Sequence, residues 1–391
     1  MTTAQRQFGG DRMGHRERLL CALSHEQPDK VPMDLGGTVN SSIVVEGYEK
    51  LKKHFGVETE TKLGHRMMRT AIVDERILSG LDIDIRGVYL GAPIEGGDQT
   101  TVLDKYVDRW GVERVKPEHS YYYDQRTFPL AGDITLSDIS KYPWPDPNDP
   151  SIVSGLKERV SWIREKTDCA IILGLPSPFV HASQYLRGFE DWYCDIALNS
   201  RVLEALFDAL LDITIPMAKN VLNEVGQAVD VVTCGDDVGA QHGLQISHDH
   251  YLKYVKPRHE KYFRQVHDLT MAKLLYHTCG SVVSIIDDLI EIGVDALNPV
   301  QVSAAGMDPA ELKKKYHGRM AFWGAMDTHH VLPKGSVNDV KKMVEARVEQ
   351  MGEGGGYVLS AVHNIQPDVP LDNILAMFEH AREYVPSFVK G

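Results

Sequence analysis

Short apolar runs alternate with longer amphipathic stretches along most of the chain. The apolar runs have the length of buried strands, and they occupy residues 31–35, 83–89, 170–175, 230–234, 273–277, 296–300, 320–325 and 357–362. The stretches between the later runs repeat apolar residues at helical spacing, most clearly at 158–167, 200–225, 283–293 and 337–352. Eight strands that alternate with helices predict an α/β protein with a (β/α)8 TIM-barrel fold.

The rival architecture is an open, doubly wound sheet. No predicted strand is followed by G-x-G-x-x-G or by G-x-x-x-x-G-K-[ST], the nucleotide-binding signatures common in that architecture. Residues 91–150 are rich in glycine, proline and aspartate, which predicts turns and loops rather than regular elements. We interpret this region as a long insertion after strand two of a single barrel domain that spans residues 1–391.

Charge and composition indicate which kinds of partner this protein does not bind. The formal net charge is −13, and the sequence has no basic stripe of the kind that binds nucleic acid. No apolar run approaches the roughly 18 to 20 residues that cross a bilayer, and the N-terminal stretch lacks the apolar core of a secretory signal. The five cysteines are odd in number and widely spaced, which favours reduced thiols or metal ligands over disulfides. We therefore expect a cytoplasmic protein that binds neither nucleic acid nor membrane.

The sharpest chemical feature is a histidine and a cysteine at one strand end, where a barrel gathers its active site. His277 ends the fifth predicted strand and Cys279 follows two residues later, so both side chains lie on one side of an extended segment. Both are good zinc ligands, and a catalytic zinc takes about three protein ligands. The best third candidate is His363 after the eighth strand, and the alternatives are Cys234, Asp236, Asp237 and His242. In the simpler interpretation, His277 and Cys279 are ordinary core residues.

Carboxylates at other strand ends are candidate catalytic groups. Asp34 closes the first predicted strand, Asp84 lies in the second, and Asp236 follows the fourth. Asp34 and Asp236 could instead cap the next helix, because aspartate is a favoured N-cap residue. Asp236 and Asp237 are adjacent, so we expect only one of the two to face the barrel axis.

Four further residues are candidates for substrate binding. Trp110, Tyr121 and Tyr123 lie in the region 91–150, and Asn298 lies at the end of the sixth predicted strand. The aromatic residues could line an apolar pocket, or they could pack on the barrel as part of the insertion.

Five stretches resemble the uroporphyrinogen decarboxylase superfamily in its branch of cobalamin-dependent methyltransferases: RERLLCALSHEQPDKVPMDLGG, GDDVGAQHGLQISHDHYLKYVKPRH, HTCGSVVSIIDDLIEIGVDALNPVQ, WGAMD and GGYVLSAVHNIQPDVPLDNILAMFEHAREY. The resemblance implies a (β/α)8 barrel. True uroporphyrinogen decarboxylases carry the motif R-Q-A-G-R-Y, whose arginines hold the porphyrinogen carboxylates, where this sequence reads PMDLGGTVNSS. Asp84 is similar in position to the catalytic aspartate of those decarboxylases.

The methyltransferase branch implies zinc bound by H-x-C and a later cysteine, and His363 stands where that cysteine falls. One thiolate and two neutral histidines leave the site with a net charge of about +1, which suits polarisation of an ether or alcohol oxygen. The resemblance thus implies methyl transfer between a small substrate, such as an O-methyl donor, and a corrinoid. Because the sequence has no D-x-H-x-x-G motif, we expect the corrinoid on a separate protein. Asp236 is expected to orient a ligand or accept a proton, and a homodimer is a further expectation.

Three alternatives stay open at this point. The first is a metal-free decarboxylase that uses Asp84 or Asp34 with nearby arginines. The second is a zinc-dependent hydrolase or lyase on the same barrel. The third is a binding protein without catalytic activity, since one fold hosts many functions.

Overall fold

Seven parallel strands form the central sheet of the part of the chain that the computed structural model describes, residues 13–90 and 104–389. The sheet order is β12-β11-β10-β9-β8-β7-β3, and the two smaller sheets are β1-β2 and β4-β5-β6. The strands are β1 Leu63–His65, β2 Thr70–Ala71, β3 Ile85–Val88, β4 Lys105–Val107, β5 Glu113–Val115, β6 Asp124–Gln125, β7 Ala170–Gly174, β8 Val231–Gly235, β9 Lys273–His277, β10 Ala296–Val300, β11 Ala321–Met326 and β12 Tyr357–Ala361.

Helices follow the sheet strands as the apolar spacing predicts. They are α1 His15–Leu23, α2 Val45–Phe55, α3 Glu75–Gly80, α4 Leu136–Lys141, α5 Leu156–Lys166, α6 Val180–Arg187, α7 Phe189–Leu198, α8 Ser200–Val225, α9 His248–His250, α10 Lys256–His267, α11 Ile286–Glu291, α12 Pro309–Tyr316, α13 Val331–Lys334, α14 Val337–Met351 and α15 Leu371–Glu383. The four stretches predicted as helical correspond to α5, α8, α11 and α14. None of the described helices combines the length and apolar character that a membrane crossing requires.

Short turns of 3-10 or π-helix complete the regular structure at Pro150–Val153, Gly226–Ala228, Tyr251–Val255, Val283–Ile285 and Ser387–Val389. Local chemistry sets several helix ends. Ser336 accepts the backbone N–H of Asp339, and the Asp339 carboxylate accepts the Ser336 N–H, which forms a capping box at the start of α14. Gly56 ends α2 with a φ of 64°, a conformation that glycine adopts without steric cost.

The first of the eight predicted strands is reduced to a single bridge. Met33 pairs in parallel with Leu359 of β12, and the Met33 carbonyl also accepts the N–H of Asp84 just before β3. The segment therefore lies between the two edge strands of the sheet, an arrangement consistent with a TIM-like barrel. A longer ladder does not form because Pro32 has no N–H to donate and two glycines follow at 36 and 37.

Helix α1 covers the amino-terminal ends of the strands. The N–H of Arg16 donates to the carbonyl of Asp168 before β7, and the N–H of Gly356 before β12 donates to the carbonyl of Ala22. Leu19 and Leu23 belong to a fully apolar interior cluster with inward-facing strand residues, which are Ile85, Ala170, Ile172, Val231, Leu275, Ala296, Ala321, Trp323 and Val358. Because this end is filled, the carboxyl ends of the strands form the accessible face of the sheet.

The prediction of turns and loops across 91–150 is wrong for the part that the structure describes, and residues 91–103 lie outside the described residues. Strands β4, β5 and β6 form an antiparallel sheet, and α4 follows it. The Arg114 guanidinium of β5 lies 4.5 Å from the ring centre of Tyr185 in α6 and pairs with Asp108 at 2.9 Å. Strands of two or three residues are too short to show a period above the turn-forming residues around them, so the sequence pattern concealed them.

Asp84 lies at the amino-terminal end of β3, within the region that α1 covers. Its carboxylate accepts the Arg18 guanidinium at 2.5 Å, the His15 ring at 2.8 Å and the Met33 N–H at 2.7 Å. Arg18 is itself buried and also pairs with Asp29 at 2.7 Å. The carboxylate thus joins α1, the first strand segment and β3.

We expect Asp84→Asn to lower the free energy of unfolding by about 3 kcal/mol, because it removes one of the two carboxylate charges that compensate the buried Arg18. Urea unfolding followed by circular dichroism measures this loss. Asp82→Asn is the matched control, since Asp82 is partly exposed and lies 3.6 Å from the His15 ring. We expect the control to cost less than about 1 kcal/mol. Equal losses in the two variants would contradict the anchoring role of Asp84.

Candidate metal centre

Three potential metal ligands converge at the carboxyl ends of two sheet strands. His277 is the last residue of β9, Cys279 follows two residues later, and His363 follows β12 by two residues. One ligand atom from each of the three lies within 4.8 Å of the other two. Among the described residues, this is the one group of three or more histidine, cysteine and carboxylate side chains that meets such a criterion. The candidates Cys234, Asp236, Asp237 and His242 do not join it.

The donor distances fit a small tetrahedral cation. Cys279 Sγ lies 3.5 Å from His277 Nε2. Zinc bonds of about 2.0 Å to nitrogen and about 2.3 Å to sulfur, at a tetrahedral angle, place the two donor atoms about 3.5 Å apart. One sulfur and two imidazole nitrogens are also ligands that zinc accepts, and three of them leave a fourth position open. The residues therefore fit a zinc ion in both geometry and chemistry.

Asn298 holds the His277 ring from behind. Strand β10 pairs with β9 so that Asn298 lies opposite His277, and His277 Nδ1 donates to Asn298 Oδ1 at 2.5 Å. This hydrogen bond leaves the Nε2 lone pair directed towards Cys279, as in many metal-binding histidines. Asn298, which was predicted to bind substrate, is buried at 1% exposure and makes this contact with His277.

Glycines allow the two ligand-bearing segments to approach their neighbours. Gly235, the last residue of β8, lies opposite His277, and a Cβ there would be 2.6 Å from His277 Cβ. Gly239 lies beside the backbone of Cys279, where a Cβ would be 2.4 Å from the carbonyl oxygen. Both distances are below any ordinary contact, so a side chain at either position would displace a ligand residue.

Burial sets the charge of the three donors. Burial lowers the pKa of His277, although Asp237 and Asn298 act in the opposite direction, and burial together with the nearby His277 lowers the pKa of His363 to about 4. Both rings are therefore neutral near pH 7, the form that binds metal ions. Burial and the charge of Asp237 raise the pKa of Cys279 well above its ordinary value, and a bound cation would stabilise the thiolate.

Asp236 and Asp237 point to different partners. Asp236 is fully buried, and its two oxygens accept the N–H groups of Phe179 and His181 at 3.0 Å each, at the start of α6. His259 adds a contact of 3.2 Å. Burial alone would raise the pKa of Asp236, but the hydrogen bond from His259 and the charges of His181 and His259 lower it. Asp236, predicted as catalytic, thus has its oxygens occupied by structural contacts.

Asp237 is the carboxylate that faces the three donors. Its Oδ1 accepts the Cys279 N–H at 2.7 Å and lies 3.8 Å from His277 Nε2, and its other oxygen lies 3.3 Å from the His181 ring. Burial lowers the pKa of His181, but the two aspartates outweigh this effect and leave the pKa above its ordinary value. The expectation that one aspartate of the pair faces inward thus selects Asp237. His181 was missed because a single histidine on an amphipathic helix carries no motif.

Of the three consecutive tyrosines, the middle one contacts the candidate metal centre. Tyr122 Oη lies 3.3 Å from His363 Nδ1. Tyr121 is 43% exposed, and Tyr123 is buried against the ring of Tyr106 at 5.0 Å. Tyr121 and Tyr123 were predicted to bind substrate, and the contact with His363 is made by the residue between them.

Three other predicted site residues lie apart from the three donors. The Trp110 carbonyl accepts the Tyr142 hydroxyl at 2.6 Å, and its ring lies 6.5 Å from that of Trp144. Asp34 is fully buried, and its oxygens accept the Gly37 N–H at 2.7 Å and the Trp323 indole N–H at 2.8 Å. Asp84 lies at the opposite end of the sheet, as described above.

Comparison with known proteins agrees with the fold and the motifs. A family model described as uroporphyrinogen decarboxylase (URO-D) matches residues 121–384, which is more than half of the chain. The chain belongs to the uroporphyrinogen decarboxylase family. The superfamily predicted from the five motif stretches is therefore confirmed.

Named relatives include methyltransferases and decarboxylases. The methylcobamide:CoM methyltransferase MtaA of Methanosarcina barkeri is 29% identical over 237 residues, which cover 59% of this chain and 64% of that protein. The protein of the same name from Methanosarcina barkeri strain Fusaro is 27% identical, and the match again covers 59% of this chain and 64% of that protein. A uroporphyrinogen decarboxylase of Methylococcus capsulatus is 23% identical over 269 residues, which cover 64% of this chain and 70% of that protein. The chain thus spans slightly less than two thirds of the length of the two methyltransferases.

A solved structure shares the fold along almost the whole chain. It is a methyltransferase from Methanosarcina mazei, with a TM-score of 0.65 and 20% identity, and the match covers 95% of this chain and 99% of that one. At this identity the likeness shows the shared fold. The two methyltransferase relatives support the predicted placement in the methyltransferase branch of the superfamily.

The buried Asp34 carboxylate predicts a pH dependence of stability. Burial raises its pKa from 3.8 to about 6, although hydrogen bonds from Ser41, Trp323 and Gly37 act against this. The folded state therefore binds the proton more tightly than the unfolded state, and this contribution to stability is full below about pH 4 and lost as the pH rises through 6. We expect Asp34→Asn to gain about 3 kcal/mol relative to wild type between pH 4 and pH 7.

Urea unfolding at several pH values measures this difference. The absolute stability of Asp34→Asn also includes a lost hydrogen bond, so the change with pH is the informative quantity. A constant difference between variant and wild type across the range would contradict the raised pKa.

Proposed function

We propose that this protein is a zinc-dependent methyltransferase that moves a methyl group between a small substrate and a corrinoid carried by a separate protein. The single observation that carries the proposal is the convergence of His277, Cys279 and His363 at the carboxyl ends of the strands. The names of the two methyltransferase relatives support a corrinoid as one of the two reactants.

In this proposal His277, Cys279 and His363 hold the metal ion, and Asn298 orients the His277 ring. The ion supplies Lewis-acid chemistry at the heteroatom that carries the methyl group. Asp237 fixes the Cys279 backbone and places a negative charge beside the ligands. His181 in turn holds the second oxygen of Asp237. The remaining ligand position faces substrate, as in other catalytic zinc sites.

The preferred direction is removal of a methyl group from an O-methyl donor. One thiolate and two neutral imidazoles leave a zinc site with a charge of about +1, which favours the negative charge that develops on a leaving oxygen. A second candidate is methylation of a thiol acceptor, because metal coordination lowers the pKa of a bound thiol. The pair of compounds in the relatives' name, methylcobamide and CoM, favours this second direction.

The placement of Asp84 weighs against a decarboxylase of the uroporphyrinogen type. Its carboxylate is engaged by Arg18, His15 and Met33 on the side of the sheet that α1 covers. The strand-end stretch PMDLGGTVNSS also offers no arginine for substrate carboxylates. A metal-free mechanism would therefore need another acid and another set of cations at the accessible face.

We expect purified wild type to contain about one zinc ion per chain, and His277→Ala and Cys279→Ala to retain less than about a tenth of it. Elemental analysis of protein prepared without chelators measures the content. Cys194→Ala is the matched control, because Cys194 is an exposed cysteine on α7 and should leave the zinc unchanged. A metal-free wild type would contradict the proposal and favour the decarboxylase alternative.

The same preparations then test methyl transfer with free cobalamin as the probe. Cob(I)alamin is mixed with a panel of methoxy compounds, and methylcobalamin is mixed with a panel of thiols, and the visible spectrum follows each reaction. A zinc-dependent change of the visible spectrum in the mixture with methoxy compounds supports demethylation. Such a change in the mixture with thiols supports thiol methylation. Bound zinc with no reaction in either mixture would favour a hydrolase or lyase.

The hydrogen bond from His277 to Asn298 predicts a graded loss of metal affinity. Asn298→Leu removes the acceptor while keeping the size, and we expect zinc affinity to fall about 10- to 100-fold. Asn298→Asp retains an acceptor for His277 Nδ1 and should keep the affinity close to that of wild type. Competition with a chromogenic chelator measures both. Equal affinities for the leucine and aspartate variants would contradict the orienting role of Asn298.

A further inference from the structure

The hydroxyl of Tyr122 accepts two hydrogen bonds from amide groups. Gln366 Nε2 donates to it at 2.6 Å and Asn364 Nδ2 at 3.3 Å. Each amide is oriented by a second contact, because the Ser42 N–H donates to Asn364 Oδ1 and Gln366 Nε2 also donates to the Asn364 carbonyl. Both amides therefore present N–H groups, and not oxygens, to Tyr122.

These two bonds decide where the Tyr122 hydrogen goes. A phenol oxygen accepts about two hydrogen bonds and donates one. With both acceptor positions used, the hydroxyl hydrogen is left to donate, and His363 Nδ1 at 3.3 Å is its acceptor among the residues that the structure describes. Tyr122 is partly buried, so a hydroxyl hydrogen left without an acceptor there would be costly.

Binding of a cation by His363 removes that acceptor. If the ring binds through Nδ1, the lone pair that Tyr122 uses is taken. If the ring binds through Nε2, the proton of the neutral imidazole moves to Nδ1, which becomes a donor. In both cases the Tyr122 hydroxyl hydrogen loses His363 Nδ1 as its acceptor. The hydroxyl oxygen still accepts the hydrogen bonds from Gln366 and Asn364.

We propose that Tyr122 is a catalytic residue whose released hydroxyl donates a hydrogen bond to the substrate atom that loses the methyl group. The proposal rests on the function proposed above. The Tyr122 hydroxyl lies 3.3 Å from the His363 ring, so it borders the candidate metal centre. In demethylation the carbon–oxygen bond would break with its electron pair staying on the oxygen, and the methyl group would be taken up by a corrinoid in its cobalt(I) state, which supplies the electron pair of the new bond. Tyr122 keeps its proton and stabilises the new negative charge.

This role gives the site a preference for one chemical class. Oxygen is a strong hydrogen-bond acceptor, whereas a thioether or thiol sulfur is a weak one. A hydroxyl fixed at the leaving atom therefore favours O-methyl donors over S-methyl donors. In this proposal Tyr122, from the segment before β6, provides the preference for O-methyl donors. The proposed metal ligands lie at the ends of the sheet strands.

Cobalt-substituted protein tests the proposal without knowledge of the substrate. Co²⁺ replaces the native ion in wild type, Tyr122→Phe and the matched control Tyr121→Phe, whose side chain is exposed. Two probes are titrated against each, azide as a good hydrogen-bond acceptor and 2-mercaptoethanol as a sulfur ligand, and the visible bands of Co²⁺ report binding. We expect Tyr122→Phe to bind Co²⁺ normally and to lose about 10- to 100-fold in azide affinity. Its affinity for 2-mercaptoethanol, and both affinities of Tyr121→Phe, should change less than about threefold.

Each other outcome overturns the proposal in a distinguishable way. Unchanged azide affinity in Tyr122→Phe shows that the hydroxyl does not face the ligand position. Equal weakening of both probes, or loss of Co²⁺, shows that Tyr122 only positions His363. Failure of the wild type to take up Co²⁺ overturns the proposed function itself, and the role of Tyr122 with it.

Discussion

The hydrogen bond between His277 Nδ1 and Asn298 Oδ1 is the interaction on which the candidate metal centre depends. It exists because β9 and β10 pair in parallel with these two residues opposite each other. The bond selects one tautomer of His277 and leaves Nε2 directed at Cys279 Sγ. A slip of one residue between the two strands would turn one of these side chains to the face of the sheet opposite the other. Strand register therefore controls the donor geometry.

Buried carboxylates fix the segments that surround the candidate metal centre. Asp236 holds the start of α6 and His259, and Asp237 holds the backbone of Cys279 and the ring of His181. Asp34 binds Trp323 of β11 in the interior. A buried charge is stable only with donors on its oxygens, so each of these groups fixes the segments that supply its donors.

The small antiparallel sheet of β4, β5 and β6 lies against elements that carry site residues. Arg114 of β5 packs on Tyr185 of α6, which follows the loop that Asp236 holds. The segment leading into β6 brings Tyr122 against His363. Three candidate metal ligands at the strand ends of the central sheet and a hydroxyl from the segment before β6 thus lie close together. Such a division is common in barrels, where loops change the chemistry while the strands keep the scaffold.

The sequence by itself determined the alternation of strands and helices, the family, and the pairing of His277 with Cys279. These depend on local periodicity and on residues two positions apart, which chain geometry alone relates. It also selected His363, through the motif resemblance. The roles of Asp34 and Asp84, the choice between Asp236 and Asp237, and the contact of Tyr122 were decided only by the tertiary structure. Each depends on donors that arrive from distant segments, such as Trp323 for Asp34 and Gln366 for Tyr122, and no local pattern records which distant group fills a hydrogen bond.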